Sequence, residues 1–303
     1  MDWKSKKPLA KGKELGVLSM PKVTVVLPTY NGEKYVGMAI ESILSQSYTD
    51  FELIIVDDCS TDGTNEIATE YARQDDRVKV IRNGSNSKLP KSLNNGFEQA
   101  TGTFYTWTSD DNLYKKDALK EMVAILETNH DVGMVYCDYD EIDQDGKLVA
   151  ARKMEEADTL YYGNCVGACF MYRASIAKDI GGYNIEMFLA EDYDYWLRIS
   201  FCSKLFHVSQ NLYEYRTHSG SLSATRIRDV QRQTARLWMI HLTELLRNVP
   251  TYQEKRDFFE RIISSADEAE RMEIEKELCK YSILFWGRRT RKKMVRSVKS
   301  LFK

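Results

Sequence analysis

The chain has 303 residues, of which 43% are apolar and 29% charged, a balance that excludes a disordered or wholly membrane-embedded protein. Its length allows one large α/β domain with an appendage, and no run approaches the roughly 20 apolar residues that span a bilayer. Net charge is −2, yet residues 286–303 hold eight Arg/Lys and no acid, so residues 1–285 carry −10, which argues against a uniformly basic nucleic-acid surface.

Residues 1–21 are Lys-rich and lack the apolar stretch of a secretory signal, so they read as a flexible leader on a cytoplasmic protein. Val23 to Leu27 and Phe51 to Val56 are β-branched runs with the character of buried strands. Between them Tyr35-Val36, Ala39-Ile40 and Ile43-Leu44 recur at helical spacing, which predicts a β-α-β unit over 23–58. A helix from Asp62-Gly63 to about Arg73, a strand at Val78 to Ile81, a helix from Ser92 to Ala100 and a strand from Thr103 to Thr108 continue the alternation. The fold class expected is α/β, a mostly parallel doubly wound sheet with helices on both faces.

From about 132 the order is less regular, with strands at Val132 to Asp138 and Val166 to Tyr172, a hairpin turn at Asp145-Gly146, and a helix after Glu191-Asp192. Phe206 to Val208 reads as a short final strand, and beyond about 228 the pattern is only helical, a C-terminal helical extension. The six cysteines (59, 137, 165, 169, 202 and 279) lack paired zinc-site spacing and read as structural thiols.

Ligands of such sheets bind beyond the carboxyl ends of the strands, and the polar clusters fall there. Pro28-Thr29-Tyr30-Asn31 follows the first strand, Asp57-Asp58-Cys59-Ser60 the second, and Ser109-Asp110-Asp111-Asn112 the fourth. Paired carboxylates at a strand end suit a divalent cation that neutralises charge on a departing diphosphate. Loop capping is the other role open to such a pair.

The order of motifs decides between them. Pro28 to Gly32, Ser45 to Tyr48, Ile55 to Thr64, Asn94-Asn95-Gly96, Ser109 to Asn112, Gly181-Gly182-Tyr183, Glu191 to Trp196 and Tyr215 to His218 together resemble the successive motifs of family 2 glycosyltransferases, over about residues 22–225. The resemblance implies a GT-A fold, a nucleotide-binding half at 22–115 and an acceptor half at 116–225. It also implies a divalent metal cofactor (Mn2+ or Mg2+) and inverting transfer from a nucleotide-sugar donor to a saccharide or lipid-linked acceptor. Tyr30 would stack on the base and Asp58 would accept an imide N–H, which favours uracil. Pro28, Thr29, Asn31 and Glu33 belong to the same donor loop, and Lys88 and Arg216 are candidate phosphate contacts. Asp110 would lie near the ribose, and Asp111 would bind the metal with His218 as a second candidate ligand. Asn112 departs from the commoner third Asp and leaves that contact in doubt.

Inversion needs a base for the acceptor hydroxyl, and Asp192 stands at the family's base position. Glu191, Asp194 and Trp196 are its expected neighbours in the acceptor site. Capping of the following helix is the alternative role for Asp192. In the basic tail, Met294, Val295, Val298, Leu301 and Phe302 recur at spacings of three and four among Arg and Lys. That pattern fits a helix lying on an anionic membrane, placing the protein at the inner face, or one packed on the domain. A nucleotidyltransferase and a non-catalytic nucleotide-sugar-binding relative are the competing classes, although the first needs a Gly-rich basic loop that Pro28 to Gly32 is not.

Overall fold

The computed structural model describes residues 21–221, 225–249 and 251–265, with Arg271 and Ile274. The basic tail at 286–303, residues 1–20 of the expected leader, and Cys279 lie outside the described residues. The first half alternates as its periodicity predicts: β1 (Val23–Thr29), α1 (Val36–Leu44), β2 (Phe51–Asp57), α2 (Thr64–Gln74), β3 (Val78–Arg82), α3 (Leu89–Glu98) and β4 (Phe104–Trp107). These strands run parallel in the order β3-β2-β1-β4, with Thr29 level with Asp57 and Val26 level with Trp107. Because α3 crosses back over β1 and β2 to reach β4, the direction of winding reverses between β1 and β4. The crevice at their carboxyl ends is the switch point where such sheets bind ligands.

Side-chain alternation divides the core. Val25, Leu27, Leu53 and Ile55 face α1 and α4 (Ala118–Thr128), while Val26, Ile54 and Val56 face α3 and the later helices. A two-residue period with both faces buried is what a doubly covered sheet requires.

The second half is mixed. β5 (Leu113–Tyr114), β6 (Val132–Ile142), β7 (Leu148–Arg152), β8 (Phe170–Arg173) and β9 (Lys204–Arg216) extend the sheet as β4-β8-β6-β9-β5, with β7 beside β6. Of these pairings β6 with β9 is parallel, and the others are antiparallel. The hairpin turn stands where Asp145-Gly146 predicts it. β8 starts later than Val166 because Gly167 takes φ +69°, outside strand geometry. β9 is far longer than the three residues expected and carries Arg216 to the side of Ile142.

Helices α5 (Ala174–Ile180) and α6 (Glu191–Ser200) precede β9, and α7 (Ile227–Ile240), α8 (Leu242–Asn248) and α9 (Tyr252–Ser265) follow it. The last three share the α6 core: Leu237, Leu242, Leu245, Phe258 and Phe259 are buried with Trp196 and Leu197. Trp238 Nε1 donates to Tyr193 Oη at 2.9 Å. No described helix is long and apolar enough to cross a membrane.

Candidate active site

At the switch point the end of β1 meets the loop after β4. Thr29 Oγ1 donates to Asp110 Oδ2 across the crevice, and the Tyr30 amide also serves this carboxylate. Gly32 is packed so closely that a Cβ there would stand 2.2 Å from Asp110 Oδ2. Burial, opposed by the Thr29 hydrogen bond and reinforced by the charge of Asp111, raises the Asp110 pKa to about 6. Tyr30 itself is 48% exposed at the strand end, the position a stacking ring needs.

Several residues of the donor motifs hold the loops together. Asn31, in the left-handed region at φ +53°, accepts from the Thr61 amide at 2.8 Å through Oδ1. Glu33 Oε2 accepts the Gly63 amide at 2.7 Å, which caps α2. Pro28 is a β1 residue paired with Val56. The buried Asp58 carboxylate accepts from Asn83 Nδ2 (2.8 Å), Ser87 N (2.7 Å) and Lys88 N (2.9 Å). A carboxylate offers about four lone-pair sites, so one on Oδ2 is left for a ligand N–H. Lys88 has an exposed side chain and φ +71°.

Beside Asp110, Asp111 Oδ2 lies 3.0 Å from His218 Nε2. The Gly220 amide donates to His218 Nδ1 at 3.1 Å, so a neutral ring carries its proton on Nε2 and donates to Asp111. The 3.0 Å separation also equals the edge between adjacent ligands of an octahedral cation with arms of about 2.1 Å, and an acid oxygen with an imidazole nitrogen fits Mn2+. Ligation through Nε2 would need the other tautomer and would release Gly220. Among the described residues no group of three or more His, Cys, Asp or Glu could hold a metal together. A cation here would complete its shell with water and substrate phosphate, as Mg2+ does.

Two neighbours occupy places other than those the motifs suggest. Asn112 is buried, with its Oδ1 accepting the Arg216 amide at 2.7 Å, so it ties β9 to the acidic loop. Arg216 was expected at phosphate, yet it is buried. Its Nε donates to the Asp111 carbonyl at 2.9 Å and its Nη1 to the Asp143 and Gln144 carbonyls at 3.1 and 3.3 Å. Its guanidinium also lies 4.8 Å from the Tyr35 ring centroid, and that ring stands 5.5 Å from His218. Tyr35 thus braces both side chains, a role hidden in sequence by its place in an apolar helical pattern.

The second cluster heads α6. Asp192 Oδ1 accepts the Tyr193 amide at 2.7 Å and Oδ2 accepts from Asn164 Nδ2 at 3.0 Å. Burial raises its pKa against these hydrogen bonds. The adjacent Glu191 is also raised, by burial and then by the Asp192 charge, with the Leu189 amide donating to its Oε2 at 2.6 Å. Asn164 carries no motif and went unread in the sequence. Asp194 faces away into the helical region, between Arg198 Nε (2.8 Å) and His241 Nε2 (2.8 Å). Trp196 is fully buried, its ring centroid 4.4 Å from that of Phe170. These two support α6 from behind, and Glu191 and Asp192 form its polar head.

Helices on both faces of the sheet and an acidic loop at its switch point define a GT-A glycosyltransferase fold. The family model described as glycosyl transferase family 2 matches residues 24–181, about half of the chain, and the chain belongs to that family. Putative glycosyltransferase EpsE of Bacillus subtilis is 38% identical over 59% of this chain and 67% of its own. An uncharacterized protein of Sinorhizobium fredii is 30% identical over 68% of this chain, which spans only 23% of that relative's length. Among solved structures, S. aureus TarS 1-349 in complex with UDP has a TM-score of 0.60 at 22% identity, covering 86% of this chain and 87% of that one. The mannosyltransferase PcManGT of Pyrobaculum calidifontis, in complex with GDP-Man and Mn2+, has a TM-score of 0.59 at 15% identity, covering 94% and 86%.

Proposed function

We propose that this glycosyltransferase uses a UDP-sugar with a divalent metal and transfers the sugar, with inversion, to a saccharide or lipid-linked acceptor of a cell-surface glycan. The observation that carries the reading is the Asp111–His218 pair beside Asp110 at the switch point. The exposed Tyr30 and the remaining lone pair of Asp58 suit a uracil base. The solved neighbours with UDP and with GDP-Man and Mn2+ add support for this donor class and for the metal.

Asp111 and His218 would hold the metal, which supplies positive charge to the leaving diphosphate. Thr29 and the Tyr30 amide fix Asp110 where the ribose would lie, and Arg216 and Tyr35 hold the acidic loop against β9. The acceptor oxygen attacks the anomeric carbon as the bond to the diphosphate oxygen breaks and the electron pair leaves with the diphosphate. Asp192 takes the hydroxyl proton, and its raised pKa makes it a stronger base than an ordinary aspartate. Release of nucleotide diphosphate from a panel of sugar donors, with and without Mn2+, tests the proposal. Mn2+-dependent release from a UDP-sugar is expected. Donor binding without release for every donor and acceptor pair would leave a non-catalytic binding protein instead.

A further inference from the structure

Tyr183 follows Gly181-Gly182 and meets four elements, two from each half of the chain. Its amide donates to Asn94 Oδ1 at 2.7 Å and its carbonyl accepts from Asn94 Nδ2 at 2.9 Å, so one side chain of α3 holds its backbone by both polar groups. Gly182 makes that approach possible, since a Cβ there would stand 2.6 Å from Asn94 Oδ1. The buried Tyr183 ring lies on the Tyr195 ring of α6, with centroids 4.0 Å apart and planes at 12°. Its hydroxyl accepts from Trp107 Nε1 of β4 at 2.9 Å and stands 3.1 Å from Tyr172 Oη of β8.

These contacts run between the two parts of the candidate active site. Trp107 closes β4 three residues before Asp110, and Tyr195 stands three residues after Asp192, on the same face of α6. Burial first and then Tyr195 raise the Tyr183 phenol, and the charge of Asp192 adds to them, which sets the hydroxyl close to the base and keeps it neutral. β4 is fixed by its pairing with β1, whereas α6 meets the sheet through rings, with Trp196 4.4 Å from Phe170. Ring pairs are favourable over a range of separations and offsets, but a hydrogen bond needs its length and angle. A phenylalanine would fill the same stack, so what the hydroxyl adds is a fixed distance. We propose that Tyr183 is a positioning residue for transfer: its hydroxyl ties α6 to the end of β4 and so sets the span from the acidic loop to Asp192. Misplacement of reacting groups by about 1 Å costs on the order of 10²-fold in rate. This rests on the reading of Asp192 as the base.

The full chain is assayed for Mn2+-dependent release of UDP from each UDP-sugar of a donor panel, with water as acceptor, and is titrated with UDP in the presence of Mn2+. Tyr183→Phe keeps the ring and removes the hydroxyl. Its kcat should fall at least about tenfold, while the donor KM and the UDP affinity stay within about twofold of the wild type because the donor loops are untouched. Trp107→Phe removes the other end of the bond, and the double variant should lose no more than the larger of the single losses. A lower thermal midpoint with kcat intact would make Tyr183 an ordinary core residue and overturn the proposal. A parallel loss of UDP affinity, or losses that multiply in the double variant, would overturn it too. Full release by Asp192→Asn beside a slowed Tyr183→Phe would remove the base and leave the hydroxyl its role in transfer; an inactive Asp192→Asn beside a full-rate Tyr183→Phe would remove Tyr183 alone. A wild type that releases UDP from no donor overturns the transfer reading, and this role with it.

Discussion

In the first, parallel half of the sheet, burial pushes Glu52 up, but hydrogen bonds from Lys79, Thr101 and Thr24 hold its carboxyl below the ordinary range. At the head of α6, burial wins and both Glu191 and Asp192 lie above that range. The two sets link to stability with opposite sign. The ionised Glu52 contributes stability that is present above its unfolded pKa and lost as pH falls through the lowered one. The α6 pair contributes stability that is complete below the unfolded pKa values and lost as pH rises through the raised ones. The first set, Glu52, therefore fixes shape, and the second, the α6 pair, is under-solvated so that it takes up protons. Asp110 sits in the first half yet behaves like the second, because it is recessed beside Asp111.

This contrast can be broken most severely at Asp111. Asp111→Ala should abolish Mn2+-supported binding of UDP, a loss of several kcal/mol and on the order of 10²-fold or more, read by titration of UDP with and without Mn2+. Metal-dependent affinity surviving in the variant would move the cation elsewhere. At the other end of the comparison, Asp192→Asn should bind UDP as the wild type does and lose roughly 10²- to 10⁴-fold in transfer. A full rate at saturating acceptor would reject the base. The smallest effect is the sharpest probe of the second half. Asn164 donates to the ionised Asp192, so Asn164→Ala should raise the Asp192 pKa further and move the acidic limb of kcat/KM up by about 1 pH unit. The sign follows from the base being active only when deprotonated, with activity lost as pH falls. An unmoved limb would show that Asn164 does not tune it.

The sequence analysis reached furthest where periodicity is strong. Through Trp107 the β-branched runs are buried on both faces and the helical spacing is clean, so strands and helices fall within a few residues of expectation. β9 was expected only at Phe206 to Val208, and the residues that follow, Ser209-Gln210-Asn211, are polar and continue no apolar run. Pairing with β6 carries the strand through them. For the candidate site, the motifs gave residue types and order, and the structure brings Thr29, Tyr30, Asp110, Asp111 and His218 to one crevice. Which atoms of a motif meet backbone was not legible. Arg216 and Asn112 satisfy carbonyls and an amide more than 70 residues away in the chain, and Asn164 reaches Asp192 across a loop that no local pattern announces.

Asp194, clasped between Arg198 of its own helix and His241 at the α7–α8 corner, has a consequence for modularity. The family match ends at residue 181, ahead of α6. The helix that carries Asp192 is thus seated by segments lying outside the matched portion. Exchanging the region after residue 226 for another relative's would take His241 from a buried carboxylate, at roughly 1–3 kcal/mol, and Trp238 from Tyr193. The helical extension therefore behaves as an inherited half of the α6 socket, and a chimera would have to carry both halves together.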